Sequence, residues 1–173
     1  DGLPSCAFRT WFPFIGISSL DLGYTDSRGL VMRAWHMAVL VASAPAFFTV
    51  TSTVATFLAP DYSSLSDTMS TLAGPRIPHP WVFQCGVIGY ALLIQFLGPL
   101  LYQQAGRGWQ GLSLWTLVII YSLAGIMAAV FRDGYNTPLM GHIAESTIHD
   151  FMARLSFSGI FLLIIFTPWF LRH

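Results

Sequence analysis

Residues 112–131, LSLWTLVIIYSLAGIMAAVF, run for a full helical span without one charged side chain. An α-helix needs about 20 apolar residues to cross a hydrocarbon core about 30 Å thick, so this stretch predicts a transmembrane helix. Three more apolar stretches of similar length cover residues 34–59, 81–102 and 151–171. Because lipid offers the backbone no hydrogen-bond partners, spans of this kind cross as helices. The sequence therefore predicts an all-α integral membrane protein, a bundle of four transmembrane helices.

The composition supports the membrane prediction independently. Hydrophobic residues make up 54% of the chain and charged residues 9%, with a mean hydropathy of +0.62. A soluble domain carries about 25% charged residues. The formal net charge is zero, and no basic run or arginine cluster of the kind that binds phosphate backbones occurs. We therefore expect membrane lipids around the chain and no nucleic-acid partner.

Residues 1–33 precede the first span and are predicted to form an N-terminal interfacial arm, separate from a transmembrane domain over residues 34–173. The arm contains an aromatic cluster of Trp11, Phe12 and Phe14, which is too short to span a membrane. Trp beside Phe suits a segment lying at the level of the lipid headgroups. A loop packed on a partner subunit is the alternative.

Two polar connections, residues 60–80 and 132–150, separate the spans. In the first, apolar residues at helical spacing predict a short amphipathic helix over residues 64–73. These residues are Leu65, Met69 and Leu72. Asp61 or Ser63 would cap its start.

The arginines predict the orientation of the bundle. The N-terminal arm, the turn at residues 103–111 and the C-terminus share one side, with five of the eight arginines. The other side carries three arginines and five of the eight acidic residues. Because positive residues stay preferentially in the cytoplasm, both termini are predicted to be cytoplasmic. We expect a bacterial inner membrane, with the two connections facing outward.

The outward connections contain most of the polar side chains suited to chemistry. We expect a structural cluster in which hydrogen bonds join the two connections. Its predicted members are Ser66, Asp67, Ser70, Asp133 and His149. In this interpretation Asp133 and Asp150 would also pair with nearby arginines, namely Arg132, Arg154 or Arg76.

A divalent metal site is the alternative interpretation of the same region. If residues 140–152 are helical, His142, Glu145 and His149 share one face at i, i+3 and i+7. Water on a metal held by such groups is a nucleophile at neutral pH. The candidate ligands are Asp67, Asp133, His149, His142 and Glu145. No tight metal signature such as HExxH is present.

His36, near the start of the first span, is a candidate axial ligand for haem or a chlorophyll-type pigment. A bis-histidine haem would need a second His at similar depth, and no other predicted span contains one in its interior. An interfacial hydrogen-bonding role is the alternative for His36. The sequence itself specifies no cofactor.

Three short motifs carry a family resemblance. They are Leu65-Ser66-Asp67-Thr68-Met69-Ser70 after the first span, Val130-Phe131-Arg132-Asp133 closing the third, and Ile148-His149-Asp150 opening the fourth. Over roughly residues 35–171 the chain resembles the uncharacterised membrane family catalogued as domain of unknown function 998. That family typically shows a Ser-Asp-x-x-Ser-like stretch, a Phe-Pro-x-Asp-like corner and a following His. Two departures are Arg132, where Pro often stands nearby, and four spans where about six are common.

The resemblance implies a topology and positions of interest, but no established activity. Three functions therefore stay open. The first is a non-catalytic accessory or structural subunit of a larger membrane complex, respiratory or photosynthetic for example. The second is a membrane-embedded metal-dependent hydrolase with an outward Asp/His site, similar to ceramidase-like enzymes. The third is a pigment- or haem-binding protein that uses His36. Small size and the absence of acids and bases from the middle of the spans favour the first.

The predicted orientation can be tested by cysteine labelling from outside the cell. A Cys introduced by Asn136→Cys should react with an impermeant reagent, because residue 136 lies in an outward connection. A Cys introduced by Gly108→Cys, in the cytoplasmic turn, should react only after the membrane is permeabilised. The opposite pattern would reverse the topology. Both variants need a background in which Cys6 and Cys85 are replaced.

Overall fold

The computed structural model describes residues 27–135, 138–140 and 143–172. Its helices follow the apolar stretches of the sequence. They are α1 (Ser27–Phe57), α2 (Pro80–Ile94), α3 (Leu97–Gln104), α4 (Trp109–Val130) and α5 (Glu145–Phe170). A short 3-10 helix (Met69–Ala73) and two short antiparallel strands, β1 (Pro138–Met140) and β2 (Ile143–Ala144), complete the described structure.

Four helical segments are long and apolar enough to cross a membrane, which confirms the predicted fold class. They are Met32–Phe57, Pro80–Gln104, Trp109–Val130 and Glu145–Phe170. We call the end with residues 58–79 and 131–144 the connection end, and the end with residues 105–108 the turn end. The predicted bounds were wrong by several residues at the start of the fourth span. There α5 begins at Glu145, about 1.7 turns before the predicted position 151.

The chain divides into two compact units, Asp1–Met32 and Arg33–His173. In the first unit the structure describes only the opening residues of α1, from position 27. The predicted aromatic cluster of the arm, at Trp11, Phe12 and Phe14, lies outside the described residues. The second unit contains the four membrane-spanning segments except Met32, the first residue of the first segment.

The second span is interrupted at Gln95 and Phe96, where α2 ends and α3 begins. Pro99 explains the interruption, because its ring has no N–H and collides with the carbonyl of the residue four positions earlier. That residue is Gln95, whose carbonyl instead accepts a 3.2 Å hydrogen bond from the N–H of Gly98. The span therefore continues past the proline as a second short helix.

α4 is the central helix of the second unit and packs against α2, α3 and α5. Leu114 and Val118 of α4 are completely buried. The contact with α5 is close because small residues line it. A Cβ added to Gly159 would lie 3.3 Å from the backbone nitrogen of Tyr121. Ser156 donates a 3.0 Å hydrogen bond from its Oγ to the carbonyl of Tyr121.

α1 contacts α2 through glycines that accommodate larger side chains. Gly86 of α2 faces the Thr51 side chain, and Gly89 faces the ring of Phe47. The ring of Phe48 packs at 5.6 Å, between centroids, against Tyr90 of α2. Small residues at such positions let two membrane helices approach closely.

The predicted amphipathic helix over residues 64–73 was wrong. Only a single 3-10 segment, Met69–Ala73, forms there. Of the three apolar residues that suggested the helix, Leu72 is buried, whereas Leu65 is 98% exposed. The N–H groups of Ser66 and Asp67 both donate to the carbonyl of Ser63, which closes a single turn. Thr68 then adopts an extended backbone, with φ −77° and ψ 153°, and separates this turn from the 3-10 segment.

The conditional helix over residues 140–152 was also wrong in its first part. Residues 143–144 are a strand paired with β1, and the helix begins only at Glu145. His142 lies outside the described residues. Of the three residues of the expected face, Glu145 and His149 belong to α5.

The close approach of α1 and α2 can be tested with a pair of glycine variants. Gly86→Ala places a methyl group against Cβ and Oγ1 of Thr51, a side chain that is fixed by hydrogen bonds to its own helix. We expect overpacking to lower the free energy of unfolding by about 1–3 kcal/mol, measured by denaturant titration in mild detergent.

Gly125→Ala is the matched control, because its added Cβ meets only Ser156 Oγ at 3.5 Å. Both changes alter helix propensity by the same amount, so the difference between them reports the packing. Equal stability of the two variants would contradict the close α1–α2 contact.

Candidate functional site

The polar groups of the connection end gather around the end of α4. A helix leaves its last four carbonyls without intrahelical donors. In α4 the carbonyl of Met127 accepts from the N–H of Phe131 at 2.9 Å. The carbonyl of Ala129 accepts from the amide Nε2 of Gln84, in α2, at 3.0 Å. Side chains of other helices therefore complete the end of α4.

His149 supplies the donor for two further carbonyls. Its Nδ1 lies 2.6 Å from the carbonyl oxygen of Ala128 and 2.8 Å from that of Phe131. Since carbonyls only accept hydrogen bonds, Nδ1 carries the proton, and in the neutral ring the free lone pair is on Nε2. The histidine thus binds α5 to the end of α4.

Glu145 forms a second connection between α4 and α5. Its Oε1 accepts a 2.8 Å hydrogen bond from the backbone N–H of Arg132 and a 3.2 Å bond from Nε of the same residue. The Glu145 side chain is 10% exposed and that of Arg132 34%. The guanidinium also lies 3.8 Å from the ring centre of Tyr135, at cation–π distance. The negative charge of Glu145 at the first position of α5 is favourable, because the start of a helix is electropositive.

Asp133 joins the two connections. Ser70 donates from Oγ to Oδ2 of Asp133 at 2.8 Å, across 63 positions of the sequence. The hydroxyl of Thr68 lies 2.8 Å from that of Ser70 and extends the chain of hydrogen bonds. This is a contact of the kind that the sequence led us to expect between the connections. We call Ser70, Asp133, Arg132, Glu145 and His149, with Gln84, the connection network.

The other members of the predicted cluster lie apart from this network. Asp67 accepts a 2.8 Å hydrogen bond at Oδ2 from the N–H of Ser63, so its carboxylate stabilises its own turn. Ser66 is exposed in the same turn. Arg132 pairs with Glu145, whereas the expected arginine partners of Asp133 and Asp150 were wrong within the described residues.

The predicted metal ligands occupy separate positions. Within the described residues, no group of three or more His, Cys, Asp and Glu side chains lies close enough to hold a metal ion. Asp67 lies in its own turn, and Asp133 and His149 are engaged by Ser70 and by α4. His36, the candidate pigment ligand, is an exposed residue of α1.

Sequence reasoning missed Gln84 and assigned Glu145 only as a metal candidate. An amide in the first turns of an apolar helix is the signal that could have identified Gln84, since a polar side chain at that depth needs a partner. For Glu145, the signal was its place directly before an apolar span, where a carboxylate favours a helix start.

Residues 41–173 match the model of a protein family that is described as "Protein of unknown function (DUF998)". The chain belongs to this family. The match covers most of the chain and includes every residue of the connection network, and it confirms the resemblance seen in the sequence motifs. No curated protein and no solved structure is significantly similar to the chain. In this DUF998 member, Ser70, Asp133 and His149 of the family-like motifs act as hydrogen-bond partners between the connections and helix ends, whereas Asp67 stabilises its own turn.

The role of His149 as a helix-end donor can be tested by substitution. His149→Ala leaves the carbonyls of Ala128 and Phe131 without a donor, so we expect the free energy of unfolding in detergent to fall by about 1–3 kcal/mol. His149→Asn places an amide N–H near the position of Nδ1 and should restore part of that loss.

Asp150→Ala, which changes an exposed neighbour on the same helix, is the control and should have little effect. A ranking in which Asn is no better than Ala, or in which Asp150→Ala costs as much, would refute the capping role.

Proposed function

We propose that this chain is a non-catalytic accessory subunit of a larger membrane complex, and that it packs against its partner through α1. It resides in the bacterial inner membrane with both termini in the cytoplasm. The orientation is supported by the arginine distribution. The accessory role is supported by one observation above all, the composition of the exposed face of α1.

A strip of small and hydroxyl residues runs along the exposed face of α1, beside the exposed side chains of Val39, Val50 and Phe57. Ala42, Ala46, Thr49 and Thr53 follow one another at spacings of four, three and four residues, and all four are exposed. They lie opposite the buried face, which contains Ala44, Ser52 and Ala55. Small residues at this spacing let two membrane helices approach closely.

The hydroxyl groups on this face are already satisfied. Thr49 donates to the carbonyl of Pro45 at 2.8 Å, and Thr53 donates to that of Thr49 at 2.8 Å. Hydroxyls that bond back to their own helix present a small, mainly apolar surface to a neighbour. A neighbouring helix can therefore approach this face closely because its side chains are small.

α5 provides the contrast within the same molecule. At the same helical spacing it exposes Phe157, Phe161 and Ile164, at 74%, 63% and 64% of their surface. Bulky apolar side chains are well accommodated by lipid tails, which fill the space between them. The difference between the two faces supports a protein partner at α1 and lipid at α5.

The connection network supports a structural role for the polar residues. Ser70, Asp133, Glu145 and His149 each have a hydrogen-bond partner that joins a helix end or a connection. The polar groups of these side chains therefore hold the connections and helix ends together.

The proposal is tested by native gel electrophoresis of tagged chain extracted from its own membrane in mild detergent. The wild-type chain should migrate in an assembly clearly larger than the 19.1 kDa monomer. Ala46→Phe should shift it to the monomer position, because a ring on the small face prevents close approach. Phe161→Leu, on the exposed face of α5, is the control and should leave the assembly intact.

Coexpression of two differently tagged copies separates self-association from binding to another protein. Two outcomes would contradict the proposal: a wild-type chain that is monomeric in every mild detergent, or an assembly that Ala46→Phe leaves unchanged. A stoichiometric zinc ion together with lipid amidase activity that His149→Ala removes would establish the hydrolase instead.

A further inference from the structure

A groove opens on the surface of the bundle at the turn end, between the start of α4 and the end of α5. Its volume is about 670 Å³. It is lined almost entirely by apolar side chains, among them Trp109, Leu112, Leu117, Phe166 and Trp169. Along α4 it extends from Trp109 to Leu117, which is about 12 Å at 1.5 Å per residue. That length lies within one leaflet of a hydrocarbon core about 30 Å thick.

One aromatic contact within α5 and one between α4 and α5 form the groove wall. The rings of Phe166 and Phe170 stack with centroids 5.6 Å apart, and the ring of Trp109 meets Phe170 edge-to-face at 5.1 Å. These contacts fix the side chains in place, whereas Trp109 and Trp169 stay 69% and 65% exposed. The groove is thus preformed, with indole rings at the depth of the membrane interface, where Trp is commonly found.

Positive charge lies at the interfacial end of the groove. Arg107 stands two residues before Trp109, and Arg172 stands two residues after Phe170. Both side chains are exposed, and neither guanidinium forms an ion pair or hydrogen bond within the described part of the chain. The N-cap of α4, Gly108, has no side chain to satisfy the first N–H groups of the helix, which favour an anion.

Acidic residues are concentrated at the opposite end of the bundle. The described acidic residues are Asp61, Asp67, Asp133, Glu145 and Asp150, and all of them belong to the connections or to the first two turns of α5. The two arginines beside the groove therefore have no described carboxylate near them. An anion from outside the described chain would complement their charge.

We propose that this groove binds one acyl chain of an anionic phospholipid, whose phosphate lies between Arg107, Arg172 and the start of α4. The apolar groove selects a hydrocarbon chain, and the arginines select a negative headgroup over a zwitterionic one. The site is distinct from the small-residue face of α1 and does not depend on it.

The experiment is native mass spectrometry of the full, delipidated chain in detergent, titrated with phosphatidylglycerol or with phosphatidylcholine of the same acyl chains. We expect one phosphatidylglycerol to bind more tightly than phosphatidylcholine. Arg107→Gln and Arg172→Gln should each weaken phosphatidylglycerol binding about fivefold, with little change for phosphatidylcholine. Arg76→Gln, an exposed arginine of the connection end, is the charge control and should bind as the wild type does.

The groove itself is tested by filling it. Thr116→Trp places a bulky ring among the lining residues and should abolish the tightly bound lipid. Ile119→Trp, exposed on α4 but outside the groove lining, is the matched control and should retain it.

Equal binding of the two lipids, unaffected by the arginine and Thr116 changes, would mean general lipid contact only and would overturn the proposal. A photoreactive group at Leu112 that captures protein rather than lipid in the native membrane would overturn it too, since a partner helix would then fill the groove.

Discussion

The unsatisfied carbonyls at the end of α4 are the constraint on which the connection end depends. At a membrane surface these groups need donors, and the structure provides them from two other helices. Gln84 reaches from α2 and His149 from α5, so the bonds that complete α4 also fix the position of its neighbours. Glu145 adds a charged contact to the backbone just past the same helix end. The same hydrogen bonds therefore satisfy the backbone of α4 and hold the three helices together.

The central place of α4 also explains the division between the inner and outer helices. α4 packs on α2, α3 and α5, whereas α1 meets α2 through Gly86 and Gly89. α1 is consequently buried on one side only, and its other side is available to a neighbour. α5 is equally exposed, but its exposed face has bulky side chains where α1 has a strip of small ones. The functional proposals follow from these two unequal faces and from the groove between α4 and α5.

The hydropathy of the sequence was sufficient for the four spans, because lipid permits few other backbone structures. It failed where polar residues extend a helix beyond its apolar stretch, as at Glu145, the first residue of α5. It failed again at residues 64–73, where the extended backbone of Thr68 interrupts the apolar repeat. In the candidate site, the pairing of Ser70 with Asp133 could be predicted from the sequence, since both residues belonged to the predicted cluster. The partner of Gln84 could not be predicted, because the sequence does not show which of many backbone carbonyls accepts a hydrogen bond from an amide within a span.

Charge is divided unequally along the bundle, with the described carboxylates at the connection end and Arg107 and Arg172 at the turn end. Moving one elementary charge through a membrane potential of 100 mV changes the free energy by about 2.3 kcal/mol. In a cell with a negative interior, the field favours the turn end inside. The two arginines at the turn end and the net negative charge of the connection end, where five described carboxylates outnumber Arg76, Arg132 and Arg154, contribute in the same direction. The membrane potential thus acts on this bundle as on an electric dipole. Loss of the potential would remove an orienting force that hydrophobicity alone does not supply.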